Sequence, residues 1–248
     1  MNKISIVIPV LNEEATIVKL IEHLIDNSSS ENIAEIMVVD GGSTDKTIEI
    51  VSSFVTSSEF SIKSRFSVTT RTDIKVLHSK KGRAKQMNTG AEVATGNILY
   101  FLHADAFPPK DFDQLILNEV AKENLAGCFR MQFDSNHWWL RLASWFTQFS
   151  WRPCRGGDQS QFITKHLFEF IGGYDEDYII YEDNILINEL YKRKQFVVIN
   201  KKIKTSARLY KKVGVWKLQY HFLRIYIKRW FGASADEIYT YYKKHIAT

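Results

Sequence analysis

Short apolar runs alternate with segments of helical periodicity through the first half of the chain, and this alternation limits the possible folds more than any other feature. The β-branched run at residues 3–8 is followed by a segment, 13–26, whose apolar residues recur at helical spacing. Three further pairs of strand and helix follow, up to residue 122. The alternation predicts an α/β fold with a Rossmann-like, mostly parallel central sheet and helices on both faces.

The alternation ends near residue 126, and the remainder of the chain is less regular. The 248 residues contain no stretch typical of a linker, so we predict a single domain over 1–248. It divides into a regular half (1–126), a less regular half (127–210) and C-terminal amphipathic basic helices (211–248). The Ser/Thr-rich stretch between Ser57 and Asp73 is predicted to be a surface insertion.

Composition excludes several classes of protein. The chain is 45% hydrophobic and 25% charged, which is a globular composition and not a disordered or collagen-like one. Two cysteines, Cys128 and Cys154, with no second pair predict reduced thiols and a cytoplasmic protein. The sequence has no apolar run of about 18 residues, so we expect neither a spanning helix nor a signal peptide.

The net charge of +5 is unevenly distributed. Thirteen Lys and Arg residues, and no Asp or Glu, lie between Tyr191 and Phe231, which predicts an anionic partner such as phosphate, nucleic acid or acidic lipid. Four residues share one stripe of a helix predicted over 215–231: Lys217, His221, Arg224 and Lys228. Such a helix is typical of peripheral binding to an anionic membrane surface, and the alternative is a packed helix with solvated charges.

An aromatic helix is predicted over 138–151. Four large apolar residues share one of its faces: Trp138, Leu142, Trp145 and Phe149. Such a face packs in the core, stacks on sugar rings or lies at a lipid interface, and core packing is the commonest of the three.

Polar side chains follow three of the predicted strands, where parallel sheets bind their ligands. Glu13 follows the first strand, Asp40 and Gly42 follow the second, and His103 and Asp105 follow the fourth. Each position also has a structural interpretation as a glycine turn, a helix cap or a packed strand end.

Charged residues also lie at the start of two predicted helices. Lys81 and Arg83 begin one helix, where the helix dipole favours an anion, although a solvated charge run is equally typical. Glu182 and Asp183 precede another, where one acid caps the helix or the pair provides a general base.

Together these stretches resemble the inverting family 2 glycosyltransferases of GT-A fold, and most closely a bacterial subgroup of unassigned substrate. The resemblance covers residues 3–210 and rests on five motifs in the order and spacing of that family. The motifs are Val7–Glu14, Val38–Asp45, Lys81–Asn88, Leu102–Asp105 and Tyr181–Asp183. It implies that 1–126 binds a nucleoside diphosphate sugar, with a UDP-sugar favoured, and that 127–210 holds the acceptor hydroxyl.

On the donor side, the resemblance implies that ten residues bind the nucleotide sugar: Pro9, Leu11, Glu13, Asp40, Gly42, Lys81, Arg83, His103, Asp105 and Arg208. Asp40 would hold the base. Asp105 matches the last acid of the family's Asp-X-Asp motif and would hold Mg²⁺ or Mn²⁺ on the diphosphate. His103 departs from the motif, because the family has an acid there. A neutral imidazole would contact the ribose, ligate the metal or simply pack at the strand end.

On the acceptor side, the resemblance implies that Asp183 is the general base for direct displacement and that Glu182 supports it. Gly157, Asp158 and Gln159 resemble a loop that closes the pocket. A lipid-linked acceptor would place the protein at the inner face of the plasma membrane, and nucleic acid is not an expected partner. Two alternatives remain open: a nucleotide-sugar-binding module without catalysis, and a protein that binds anionic surfaces through its basic helix.

Overall fold

A computed structural model describes residues 2–57, 72–156 and 159–247, and the predicted alternation is present in it. The strands are β1 (Ile4–Val10), β2 (Ile33–Asp40), β3 (Asp73–His78), β4 (Ile98–Phe101), β5 (Ala106–Phe107), β6 (Ala126–Phe133), β7 (Gln161–Thr164) and β8 (Val197–Thr205). The helices are α1 (Ile17–Asp26), α2 (Thr47–Ser57), α3 (Arg83–Val93), α4 (Phe112–Ala121), α5 (Trp138–Phe146), α6 (Lys165–Ile171), α7 (Glu182–Lys192), α8 (Arg208–Val213), α9 (Val215–Trp230) and α10 (Ala235–His245). A short 3₁₀ helix covers Arg152–Cys154.

The eight strands form one sheet in the order β3-β2-β1-β4-β7-β6-β8-β5. The pairs β3–β2, β2–β1, β1–β4 and β6–β8 are parallel, whereas β7 runs antiparallel to both of its neighbours and β5 runs antiparallel to β8. The regular half of the chain therefore supplies the parallel run β3-β2-β1-β4. The less regular half adds the antiparallel strand β7 and the parallel pair β6–β8. The predicted α/β class is confirmed.

Helices cover both faces of the sheet, as predicted. Because successive side chains of a strand point to opposite faces, β1 sends Ile6 and Ile8 into one apolar layer and Val7 into the other. The first layer is completed by α1, α2 and α4, and the second by α3, α6 and α7. Every residue of β1 is buried, which explains its continuous apolar sequence.

Several boundaries differ from the prediction. The first strand continues through Pro9 to Val10. On its β4 side, the pairing ends at Val7, before Pro9 is reached. The missing N–H of Pro9 therefore interrupts no hydrogen bonds to β4. The aromatic helix ends at Phe146. The apolar runs 196–199 and 203–206 predict two short strands, and in the structure they belong to one strand, β8. Strands β5 and β7 and helices α6 and α8 were not predicted, whereas α10 lies in the segment predicted to form C-terminal basic helices. Most of the predicted insertion lies outside the described residues.

The C-terminal helices pack against each other and against the segment before α7. Leu218 and Ile225 of α9 lie in one apolar cluster with Tyr178 and Ile238. The predicted basic stripe does not form a single exposed face, because His221 is buried in the contact between α9 and α10. Within the described residues, no helix is long and apolar enough to cross a membrane. Both cysteines are free thiols, as predicted.

Candidate active site

The loops after β1 and β2 are bound to each other at the carboxyl edge of the sheet. Asn12, which has a left-handed backbone (φ 57°), accepts a hydrogen bond from the Thr44 N–H (2.8 Å) and donates its own N–H to Ser43 Oγ (2.9 Å). The N–H of Glu13 donates to Thr47 Oγ1 (2.8 Å). These bonds join two loops that are about thirty residues apart in the chain into one edge.

Asp40 ends β2 and is buried at this edge. Its carboxylate accepts hydrogen bonds from the backbone N–H groups of Gly42 (2.9 Å) and Ser43 (3.0 Å). Gly42 has a φ of 94°, which favours glycine. Asp40 therefore stabilises the glycine turn that follows β2, which is the structural interpretation of this position. The turn holds the Asp40 carboxylate beside the loop that carries Glu13.

Two residues of the Lys81–Asn88 motif form hydrogen bonds that hold neighbouring segments of the site together. The Gln86 side-chain amide donates to the backbone carbonyls of Val10 (2.8 Å) and Val39 (2.7 Å), which links the ends of β1 and β2 to α3. Asn88 exchanges hydrogen bonds with the backbone of Tyr174, with both contacts at 2.9 Å. Neither residue has a role that the sequence predicts, because these partners lie far away in the chain.

Arg208 connects the ends of three strands. Its guanidinium forms a bidentate ion pair with the Glu13 carboxylate, with Nη1 3.0 Å from Oε2, and its Nε lies 3.3 Å from Asp105 Oδ2. The pairing of Thr205 with Ala106 in the β8–β5 ladder brings Arg208 next to Asp105. The hydrogen bonds to Glu13 raise the pKa of Arg208, so the guanidinium stays charged.

His103 lies two residues before Asp105 and is half-buried. Burial, together with the positive charges of Arg83 and Arg208, lowers the pKa of His103 to about 3. The imidazole is therefore neutral near neutral pH, with a ring nitrogen able to accept a hydrogen bond.

The acidic pair begins α7 on the other side of this edge. Glu182 is fully buried, and its Oε1 lies 2.9 Å from the Nε of Arg83. Asp183 is 8% exposed. Burial and the charge of Glu182 raise the pKa of Asp183 to about 7, and Arg83 opposes this shift. A carboxylate with this pKa is suited to accept a proton near neutral pH.

Tyr174 is a further member of the site that sequence analysis did not identify. Burial, and then the charges of Asp183 and Glu182, raise the pKa of its phenol well above the ordinary value. Its buried hydroxyl has no hydrogen-bond partner among the described residues. No spacing in the sequence distinguishes Tyr174 from the other tyrosines, because its proximity to the acids arises from the fold.

The loop predicted to close the pocket is only partly described. Gly157 and Asp158 lie outside the described residues. Gln159 is buried, and its side-chain oxygen accepts a hydrogen bond from Nη1 of the buried Arg155 (2.7 Å) while its amide donates to the Cys154 carbonyl (2.6 Å). The Gln159 side chain therefore holds the base of the loop.

Comparison with known proteins identifies the family. Residues 5–202 match the model of "Glycosyl transferase family 2". The chain belongs to this family.

Relatives of this family 2 chain include an archaeal and two bacterial proteins. Over 113 residues, it is 33% identical to the "Dolichyl N-acetyl-alpha-D-glucosaminyl phosphate 3-beta-D-2,3-diacetamido-2,3-dideoxy-beta-D-glucuronosyltransferase" of Methanococcus voltae, covering 45% of this chain and 32% of the relative. It is 31% identical over 125 residues to an uncharacterized glycosyltransferase of Haemophilus influenzae, covering 50% and 45% of the two chains. It is 24% identical over 218 residues to the uncharacterized glycosyltransferase YibD of Escherichia coli, covering 77% and 58%. The matched part thus spans about a third to three fifths of these relatives.

Solved structures show the same fold. S. aureus TarS aligns with a TM-score of 0.62 at 16% identity, covering 84% of this chain and 61% of that one. GalNAc-T7 with UDP, GalNAc and Mn²⁺ aligns with a TM-score of 0.63 at 13% identity, covering 83% and 44%. The predicted GT-A fold and family 2 membership are confirmed.

The residues that were predicted to bind the donor in this family 2 chain have different surroundings. Arg208 contacts both Glu13 and Asp105, whereas Arg83 contacts Glu182 of the acidic pair. Of the remaining predicted residues, Pro9 is buried, Leu11 is half-buried and Lys81 is exposed.

Asp105 was predicted to hold a metal ion, and the side chains around it could do so only together with oxygens of a bound substrate. Among the described residues, no group of three or more His, Cys, Asp or Glu side chains is placed to hold a metal ion. Mg²⁺ in proteins is often bound by one or two carboxylates together with substrate phosphates, so the single carboxylate of Asp105 fits a site shared with a diphosphate. His103 supplies a neutral nitrogen where a second acid would add charge.

Proposed function

We propose that this chain transfers a sugar from a nucleoside diphosphate sugar to an acceptor hydroxyl, with inversion at the anomeric carbon. The observation that carries the proposal is the buried acidic pair at the start of α7, in which Asp183 has a pKa of about 7 and Glu182 is ion-paired with Arg83. That ion pair joins the half of the molecule that carries the strand-end residues to the half that carries the base.

A UDP-sugar is the favoured donor. The solved structures with this fold include TarS with UDP and with UDP-GlcNAc, and GalNAc-T7 with UDP, GalNAc and Mn²⁺. In this chain Asp40 and Gly42 would contact the base, and Pro9, Leu11 and Glu13 would line the nucleoside pocket. Lys81, Arg83 and Arg208 would contact the diphosphate, and His103 the ribose.

Asp105 would hold Mg²⁺ or Mn²⁺ together with the diphosphate oxygens. When bound, the ion neutralises charge on the departing nucleoside diphosphate. Arg208, which lies 3.3 Å from Asp105, adds a second positive charge at the same place.

Asp183 would act as the base. It takes the proton of the acceptor hydroxyl while the hydroxyl oxygen bonds to the anomeric carbon, and the bond from that carbon to the diphosphate oxygen breaks. The electron pair of the broken bond leaves with the nucleoside diphosphate. Glu182 would keep its ion pair with Arg83, and its charge keeps the pKa of Asp183 raised.

The acceptor would be held on the side of α7. Gly157, Asp158 and Gln159 are proposed to close the pocket over it. A lipid-linked acceptor is the favoured class, because the Methanococcus voltae relative is named for a dolichyl phosphate acceptor.

The substitution Asp183→Asn tests the base. With UDP-GlcNAc and Mn²⁺, and water as acceptor, we expect UDP release to fall by about 10² to 10⁴-fold. The shift in melting temperature caused by the donor should stay the same, because donor binding does not need the base. Asp177→Asn is the matched control, since Asp177 is an exposed acid in the segment before α7.

Three outcomes are informative. Unchanged UDP release by Asp183→Asn would show that Asp183 is not the base. Donor-dependent stabilisation of the wild type without any turnover would favour the nucleotide-sugar-binding module. A panel of UDP-, GDP-, ADP- and dTDP-sugars, with and without Mn²⁺, would identify the donor by its stabilising effect.

A further inference from the structure

Helix α9 exposes a stripe of large apolar side chains on the side opposite its buried residues Leu218 and Ile225. Its members recur at spacings of four and three residues: Trp216, Tyr220, Leu223, Ile227 and Trp230. Their exposed fractions range from 37% for Ile227 to 86% for Trp230, and Phe231 beyond the helix end is also 86% exposed. The opposite side of α9 is already buried against its neighbours, so this stripe is a second apolar face that no described residue covers.

Helix α5 continues the exposed surface. The rings of Trp138 and Trp216 lie 5.7 Å apart between centroids, and both side chains are more than half exposed. Leu142 and Trp145 follow on the same side of α5 and are exposed as well. Beyond α5, the ring of Phe149 lies 5.1 Å from that of Trp145 and 4.7 Å from that of Trp151, which is 54% exposed.

We call this surface the aromatic face. It consists of Trp138, Leu142, Trp145, Trp151, Trp216, Tyr220, Leu223, Ile227, Trp230 and Phe231. Single exposed apolar residues are common on soluble proteins, but a continuous patch of this kind marks an interaction site. The core interpretation of the Trp138 helix face is therefore wrong for its most exposed members.

The charges around the aromatic face indicate what covers it. From 211 to 231 there are six Lys and Arg residues and no Asp or Glu. Lys217 and Arg224 are exposed on α9 itself. A second copy of the chain, related by a twofold axis through this face, would bring like charges together. An anionic lipid surface is complementary to them.

The residue types also match a lipid interface. Trp and Tyr are enriched where a bilayer meets water, because their rings are apolar at one end and polar at the other. A helix with aromatic and aliphatic residues on one face, and Lys and Arg beside them, lies in the plane of such an interface. Each basic residue near an anionic surface adds attraction that decreases with salt.

We propose that the aromatic face docks this protein on the surface of an anionic lipid bilayer, with α9 lying in the interface. The predicted basic stripe differs from this surface, because His221 is buried and Lys228 lies 5.5 Å from the Tyr241 ring of α10. Docking is independent of sugar transfer, so it can be tested whether or not the proposed function is correct.

Helix α9, which carries much of the aromatic face, is connected to the start of α7. Tyr226 of α9 donates a hydrogen bond to Asn184 Oδ1 (3.4 Å), and the Arg152 guanidinium contacts the same side chain (3.0 Å). Asn184 is the residue after Asp183. A bilayer under α9 would therefore lie beside the side of the site that is proposed to hold the acceptor.

Vesicle flotation of the full chain tests the docking. We expect the wild type to float with vesicles of phosphatidylcholine and phosphatidylglycerol at low salt, and to bind vesicles of phosphatidylcholine alone about tenfold more weakly. The double substitution Trp230→Ser and Phe231→Ser should weaken binding to both by about tenfold or more, because it removes buried apolar area. Phe170→Ser is the matched control, since Phe170 is 71% exposed on α6.

A variant without two of the basic residues separates the electrostatic contribution to vesicle binding from the contribution of buried apolar area. Lys217→Gln with Arg224→Gln should remove most of the preference for phosphatidylglycerol and most of the salt dependence, whereas Lys3→Gln with Lys19→Gln, also exposed, should not. Leu223→Ser tests the same face in mid-helix if the Trp230 and Phe231 variant does not fold.

Three results would overturn the proposal. One is failure of the wild type to float at low salt with phosphatidylglycerol. Another is equal loss of binding in Phe170→Ser and in the aromatic-face variants. The last is a wild type that binds no vesicles and forms a dimer in sedimentation equilibrium, where the aromatic-face variants are monomers. That result would show that a second copy of the chain covers this face.

Discussion

Buried carboxylates at the two ends of the parallel strands have opposite electrostatic surroundings. Glu35, near the start of β2, is 1% exposed, and its burial alone would raise its pKa. Hydrogen bonds from Ser5, from Thr95 and from Lys75 Nζ (3.0 Å) instead lower the pKa of Glu35 to about 2. Asp183, at the other end, is similarly buried but lies beside another acid, and its pKa is about 7.

The comparison shows that burial does not by itself decide how a carboxylate behaves. Burial penalises the charged form of both groups, and the hydrogen-bond donors around each one determine the outcome. Glu35 accepts hydrogen bonds from several donors, and these bonds link β2 to β1, to β3 and to the segment before β4. Asp183 faces Glu182, and so it retains affinity for a proton.

The largest expected effect is on the pH dependence of turnover. If Asp183 is the base, UDP release should rise about tenfold per pH unit and level off above about pH 7, a change of about hundredfold from pH 5. Glu35 titrates far below this range and should not contribute. A flat profile between these values, measured at saturating UDP-GlcNAc, would contradict the assignment.

The stability of the fold should fall with rising pH because of Asp183, whereas UDP release should rise. The folded-state pKa of Asp183 lies above its ordinary value of 3.8, so the folded state binds the proton more tightly and loses stability as pH rises from about 4 to about 7. Asp183→Asn should therefore raise the melting temperature at about pH 8 while it lowers activity. A lower melting temperature would show that the carboxylate makes a favourable contact.

Glu35→Gln is expected to have the next largest effect. The free energy of unfolding should fall by about 2 kcal/mol, about thirtyfold in the unfolding equilibrium, because buried donors lose a charged acceptor. The wild type should lose this contribution as pH falls from 4.5 towards about 2, since the folded-state pKa is lowered. Denaturant unfolding measures both, with the exposed Glu31→Gln as control. Equal stability of the two variants would contradict the prediction.

Arg208→Gln should weaken UDP binding by about tenfold. The guanidinium is bidentate to Glu13 and adjacent to Asp105, so it is placed to bind the diphosphate with charge-assisted hydrogen bonds. Arg208→Lys should lose less affinity, because the charge remains and only the planar fork is lost. Isothermal titration with UDP and Mn²⁺ measures this, and Lys202→Gln, exposed on β8, is the control.

His103→Asp should have the smallest effect. A second carboxylate beside Asp105 adds negative charge for a divalent ion, so the Mn²⁺ concentration for half-maximal UDP release should fall by about threefold. An unchanged Mn²⁺ requirement would show that this position does not face the metal.

Much of the first half could be predicted from sequence. The β-branched runs and helical periods of 3–122 are local patterns, and they match the elements β1 to α4 closely except for the short strand β5, which they do not predict. The motif residues Glu13 and Asp105, and Arg208 outside the motifs, were predicted to bind the same donor, and in the structure Arg208 contacts both acids. The short strand β7 and helix α6 were missed, because their packing depends on strands far away in the chain.

The aromatic face was only partly predicted. Periodicity placed Trp138 and Trp145 on one side of a helix, but a period does not tell whether that side meets the core or the solvent. The same ambiguity affected α9, where the residues chosen as an exposed basic stripe include the buried His221. Which side is covered was decided by α10 and by the segment before α7.

By itself, the sequence determined the α/β class and the placement of acids after strands and before helices, because periodicity and turn chemistry act over a few residues. Only the tertiary structure decided which charges meet. Glu13 and Arg208 are 195 positions apart, and their ion pair depends on the order of strands in the sheet. The pKa of Asp183 was likewise decided by folding, because desolvation and neighbouring charge exist only once α7 is packed.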